Sequence, residues 1–242
     1  MIADMTHTLR ALSALLGYPS AALQENIPAV REALVAEAAL PAEAIARLDV
    51  LLRSFESEEL LDLQGDYSGL FDSSRSVSLH LFEHVHGDNR DRGQAMVDLG
   101  QQYIDAGFMM EAAELPDFIP LFLEFLSWLS TETAREWLGQ PAHVFAVLEQ
   151  RLRERDSAYA AVFHALVALA GKPSAEAIAE IEDHVDPQDP AALDQAWEDA
   201  PVNFGAPPQD GGGPTGIIAR IRAARRPVAK RPVPQAEGTR HA

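Results

Sequence analysis

Apolar residues return at three- and four-residue intervals along nearly the whole chain, and no convincing period-2 strand is found. A period of 3.6 buries one side of a helix, whereas a half-buried strand needs a period of 2, so the pattern restricts the chain to helices packed on helices. Leu9, Leu12, Leu15 and Leu16 form the first stripe, which stops at Gly17-Tyr18-Pro19, where proline cannot continue a helix. Asn26 ahead of Ile27-Pro28 predicts a cap with proline in the first turn, opening a helix through Val30, Leu34 and Val35. Pro41 opens another through Ile45, Leu48, Leu51 and Leu52, and Ser57 caps one that runs through Leu60, Leu61 and Leu63 towards Tyr67, Leu70 and Phe71. A helix is expected from about Ser78 to Gly87, with Asp88 capping the next. Pro116-Asp117 begins the most apolar segment, with Pro120 in its first turn, and Thr131, Pro141, Asp156 and Ser174 start later helices. The fold expected is all-α, a single-domain bundle of roughly ten short helices.

The composition changes after Phe204 to GAPPQDGGGPTG and then to a basic stretch broken by prolines, which cannot bury enough apolar surface to order itself. Residues 1–204 are therefore expected to form the helical domain and 205–242 a disordered tail. From Gly205 onward seven basic residues stand against Asp210 and Glu237, a balance of +5; the whole chain carries −18, which leaves −23 on the body. An acidic body is the wrong platform for nucleic acid and favours encounter with a basic partner. With no cysteine, disulfides, thiolate metal sites and cysteine nucleophiles are excluded. Met1 to Arg10 lacks the basic start of a secretory signal, and the apolar windows Phe118–Leu129 and Ala158–Ala170 are too short to span a bilayer.

One motif invites a catalytic reading. His80-Leu81-Phe82-Glu83-His84 spells H-x-x-E-H, which on a helix would set two imidazoles one turn apart with Glu83 beside them as a base, the arrangement of a zinc hydrolase. Such a site needs a third protein ligand; Glu111, Glu114 and Glu124 are candidates, and nothing in the sequence selects among them. His80, His84 and His86 could also hold a structural metal. Against both stands a fold-internal reading in which Leu79, Phe82 and Val85 are buried and the polar residues make caps and hydrogen bonds. Phe118, Phe122, Phe125 and Trp128 fall on one side of one helix, mostly as core, with the remainder available as a groove for an amphipathic helix.

Five segments in order, LLGYPS (Leu15 to Ser20), YSGLFD (Tyr67 to Asp72), SLHLFEHVHGDNRDRGQAMVDL (Ser78 to Leu99), ELPDFIPLFLEFLS (Glu114 to Ser127) and WEDAPVNFG (Trp197 to Gly205), resemble the delta-subunit chaperones of respiratory nitrate reductase. These are the NarJ branch of the redox enzyme maturation chaperones. The resemblance spans Leu9 to Gly205 and omits the tail. It implies an all-helical, cytoplasmic, non-catalytic chaperone with no cofactor or metal of its own. Its partner would be the amino-terminal segment of the apo catalytic (alpha) subunit, held back from the membrane while molybdenum cofactor is inserted. A related chaperone serving another molybdoenzyme is the nearest alternative. On this reading H-x-x-E-H belongs to a chaperone signature. The client-binding surface is expected at Tyr67, His80, Glu83, His84, His86, Asp88, Arg90, Asp117 and Glu124, with Glu83 and Asp117 steering basic client residues. Protonation of His80, His84 and His86 near pH 6.5 would then repel a basic client. Many members of the wider superfamily carry His after Pro-Asp, where this chain has Phe118, and Asp199-Ala200-Pro201 is less acidic and proline-rich than the branch leads one to expect.

Overall fold

A computed structural model of the chain describes residues 4–86, 90–109, 114–171, 173–174 and 178. Among these residues ten α-helices follow one another: α1 (Thr6–Leu16), α2 (Ala21–Glu37), α3 (Ala42–Ser57), α4 (Leu60–Tyr67), α5 (Glu83–His86), α6 (Arg90–Asp105), α7 (Ile119–Leu126), α8 (Thr131–Gly139), α9 (Ala142–Glu154) and α10 (Ala160–Ala170). A π-helical turn, Ser68–Asp72, continues α4, and a 3₁₀ turn, Arg75–Val77, precedes α5. None of the helices is long and apolar enough to cross a membrane. The expected 205–242 tail lies outside the described residues, as does most of the helix expected from Ser174.

The leucine stripe of α1 is the centre of the bundle. Leu9, Leu12, Leu15 and Leu16 are all buried, and α1 lies against both α2 and α7. Two polar contacts fix the second of these pairings: the Ser13 hydroxyl donates to the Pro120 carbonyl at 2.7 Å and Arg10 Nε donates to Ser127 Oγ at 3.1 Å. The start of α1 gets no cap from Met5, but the Asp4 carboxylate accepts from the Thr6 amide at 3.2 Å. The next orphan amides of α1 are met by the last residue of α2, where the Glu37 carboxylate accepts from the N–H groups of His7 (2.9 Å) and Thr8 (2.6 Å). On the other side α9 and α10 pair, and α10 also packs on α3 and α8.

Among the first four helices, two starts differ from expectation. The second helix opens at Ala21, where the Ser20 side chain accepts from the Leu23 amide, so Pro28 falls inside it and Asn26 merely donates to the Ala22 carbonyl. Ser57 ends α3, and Glu59 is the residue before α4. Polar residues within a helix resemble caps in sequence; which of two is used depends on where the preceding chain can turn, here at Pro19.

Candidate functional site

The H-x-x-E-H stretch is not one helix. Ser78 to Phe82 is extended and then turned, and only Glu83–His86 is helical. The cause is a contact from far along the chain: His80 forms a short antiparallel bridge with Phe118, the Ile119 amide donates to the Leu79 carbonyl at 2.8 Å, and the Leu81 amide donates to the Asp117 carbonyl at 3.0 Å. These are two ordinary ladder bonds, and they outweigh the helical preference of nine residues that could never bury more than one face.

Asp117 locks this junction. It is fully buried, and its carboxylate accepts from the Phe82 amide at 3.1 Å and holds His80 Nδ1 at 3.0 Å. The hydrogen bond that His80 donates to Asp117 raises the His80 pKa above its ordinary value, more than burial lowers it. His84, four residues on, points the other way. It is buried, its Nε2 donates to the Ser78 carbonyl at 2.8 Å, and desolvation drives its pKa down to about 4, with Arg151 adding to the fall. Glu83 is partly desolvated, which alone would raise its pKa, yet the Ser78 hydroxyl and Arg92 (3.0 Å) hold its carboxyl below the usual range.

The two histidines therefore do not share a face, and the nitrogens that bond are committed to Asp117 and to a backbone carbonyl. Among the described residues no group of three metal-ligating side chains is assembled. The expectation that His80 and His84 both gain charge near pH 6.5 is also corrected. Their environments split them, one upward and one far downward.

Tyr67 is likewise internal. Its hydroxyl donates to the Leu16 carbonyl at 2.9 Å and its ring sits among Tyr18, Phe71 and Tyr159. Burial pushes the phenol well above its ordinary pKa, with Asp72 and Glu114 adding to the rise. Tyr67, His84 and Asp117 are thus buried, with their polar atoms in hydrogen bonds internal to the fold. His80 and Glu83 are part-exposed at the junction. The side chains of His86 and Arg90, and all of Asp88, lie outside the described residues.

Glu124 of the expected set lies on a concave surface. It is exposed on α7 and borders a cleft of about 590 Å³ with a floor of Phe108, Leu121, Phe125 and Leu129. Trp128 stands at its edge with 68% of its surface exposed, its ring under the Arg10 guanidinium at 5.9 Å. Met109 is 91% exposed, and Glu114 lines the same cleft as Glu124. An apolar floor with carboxylates beside it has the chemistry that suits an amphipathic segment with basic residues. The stripe Phe118, Phe122, Phe125 and Trp128 divides as expected into core and groove: α7 ends at Leu126, so the chain turns and swings Trp128 outward. Phe108, Met109, Leu121 and Leu129 were not singled out in the sequence. The signal was there in Met109-Met110, two large apolar residues past the end of a helix pattern.

The model of the nitrate reductase delta subunit family matches residues 29–165, more than half of the chain. The chain belongs to that family. Curated relatives agree with it. The chain is 43% identical over 213 residues to the nitrate reductase molybdenum cofactor assembly chaperone NarJ of Escherichia coli K12, covering 87% of this chain and 89% of that one. It is 43% identical over 147 residues to the probable chaperone NarW of the same strain, covering 60% and 64%. A probable NarJ of Bacillus subtilis is 30% identical over 167 residues, covering 68% and 89%. The part of this delta-subunit chain that matches the family model contains the His80–Asp117 junction and the Phe108–Trp128 cleft.

Proposed function

We propose that this chain is a chaperone of nitrate reductase assembly, not an enzyme: in the cytoplasm it holds the amino-terminal segment of the apo catalytic subunit while molybdenum cofactor is inserted, before membrane attachment. The observation that carries the reading is the cleft of Phe108, Phe125 and Trp128, lined also by Glu114 and Glu124, in a family whose curated members are named nitrate reductase molybdenum cofactor assembly chaperones. The apolar floor takes the client's apolar face, at roughly 25 cal/mol per Å² buried, and the exposed carboxylates add only about 0–1 kcal/mol per pair while setting orientation and on-rate. His80, Glu83 and Asp117 act one step removed, by fixing the junction that places α7.

Calorimetry with a peptide copied from the amino-terminus of the catalytic subunit tests this. Binding is expected to wild type and to weaken about tenfold or more in Trp128→Ala, since a lost aromatic anchor costs about 2 kcal/mol. Glu124→Gln should weaken it by less, mostly at low salt. No binding to wild type under any condition sinks the client assignment. A zinc hydrolase is tested in the same preparation: chelator should leave melting unchanged, and stoichiometric zinc whose loss abolished a hydrolytic activity would overturn the proposal.

A further inference from the structure

The Phe108–Trp128 cleft leaves two large apolar side chains, Met109 and Trp128, mostly in water. Exposed apolar surface of this kind is a liability between clients, because it associates with whatever apolar segment it meets. Glu114 and Glu124 line the same cleft, and neither is in an ion pair among the described residues. The edge already holds a guanidinium: Arg10 lies over the Trp128 ring at 5.9 Å while its Nε donates to Ser127 Oγ. An aromatic ring that takes one arginine, with open carboxylates beside it, has the chemistry for another.

The chain carries a segment of matching chemistry outside the described residues. Between Pro214 and Pro227 it reads Thr215-Gly216-Ile217-Ile218-Ala219-Arg220-Ile221-Arg222-Ala223-Ala224-Arg225-Arg226. At helical spacing Ile217, Ile218, Ile221 and Ala224 share one side, Arg220 and Arg222 fall on its two flanks, and Arg226 lies opposite. Thr215 stands where a cap is wanted and Pro227 where a helix must stop. Three isoleucines are too few to hold so short a helix alone, but they suffice to anchor one that acquires its order on binding. Charge favours the encounter, since the segment holds four arginines and no acid while the body carries −23.

Reach favours it too. Ile217 follows Ile178, the last described residue, by 39 positions. That is a contour of up to about 130 Å, against a radius of gyration of about 16 Å for a domain of some 175 residues.

We propose that residues 215–226 occupy the Phe108–Trp128 cleft of their own chain, with the isoleucines on the apolar floor and the arginines at the carboxylates, so that a client must displace them. The proposal rests on the reading of this cleft as the seat of a basic amphipathic client and adds its regulation. A tethered segment meets its site at an effective concentration on the order of millimolar, so docking with a Kd about half of that fills about two thirds of the molecules. The remaining third is open to client, whose apparent Kd is raised about threefold. The seat is covered between clients and yields to a segment that binds more tightly.

The test uses the full chain. Because the chain has no cysteine, Ala223→Cys gives a single site for a nitroxide, on the side away from the isoleucines. In NMR spectra the label should broaden the amides of Phe108 and Leu121 and the indole N–H of Trp128. Adding Ile217→Ser, Ile218→Ser and Ile221→Ser, which leave the charge unchanged, should abolish that broadening, and without the label the same three changes should tighten binding of the client peptide about threefold by calorimetry. Broadening spread evenly over the acidic surface, or persisting in the triple variant, overturns the proposal. So does broadening lost on tenfold dilution, which would make the occupant the tail of a second copy. Equal client affinity in wild type and the triple variant also overturns it and leaves the client reading intact. Broadening at the cleft with no client binding to either chain does the reverse: the segment keeps its seat and the client reading falls.

Discussion

Asp117 is the residue on which the junction depends, because one buried carboxylate satisfies a backbone amide and orients an imidazole at once. Asp117→Ala strands the Phe82 N–H in the interior and should cost about 1–3 kcal/mol in urea unfolding, whereas Asp117→Asn, which keeps one acceptor oxygen, should cost less. Equal losses would mean the acceptor is irrelevant. The two histidines give opposite pH responses. His84 titrates near 6.5 unfolded and near 4 folded, so between these values the unfolded chain takes up a proton that the folded chain refuses. Its contribution is complete above pH 6.5 and is lost as the pH falls towards 4, to the extent of about 3 kcal/mol. His80 is raised, so its contribution is complete below pH 6.5 and is lost as the pH climbs through its folded value. Unfolding measured from pH 4 to 8 should lose its acid-side slope in His84→Gln, which keeps a donor for the Ser78 carbonyl, and its neutral-side slope in His80→Gln. An unchanged acid slope in His84→Gln assigns the slope to other groups.

At the scale of elements, the two candidate caps of α2 separate pattern from structure. Ser20→Ala should cost about 1 kcal/mol, while Asn26→Ala, whose amide only donates to a carbonyl within the helix, should be nearly neutral; thermal melts decide it. Helical class was legible because Leu and Ala at 3.6 spacing carry their information locally. The leucine stripe of α1 and its stop at Gly17 were readable for that reason. The Ser78–Phe82 segment was not, since its conformation is set by backbone bonds to residues 36 or more positions on, and no local spacing encodes a partner that distant. The same holds for the site. Glu124 and the aromatic stripe announced a groove, but Phe108 and Leu129 join it only because α6 and α7 end where they do.

Charge is a property of the whole molecule. If the body ends near Phe204, truncation after Gly205 removes little apolar surface, so the melting temperature should barely move; a fall of many degrees would place the boundary elsewhere. The same truncation takes the net charge from −18 to −23, which should raise the association rate of a basic peptide and steepen its salt dependence in stopped-flow mixing. The pairing of α1 with α7 has a consequence in time. Ser13 bonds Pro120 and Arg10 bonds Ser127, contacts 107 and 117 residues apart. At about 5–20 residues made per second, the first helix leaves the ribosome on the order of 6–20 s before its partner exists. For that interval Leu9, Leu12, Leu15 and Leu16 have no α7 to cover them. Glu37 arrives much sooner to close the amide end of α1, so the nascent chain should shelter as an α1–α2 hairpin until α7 is made.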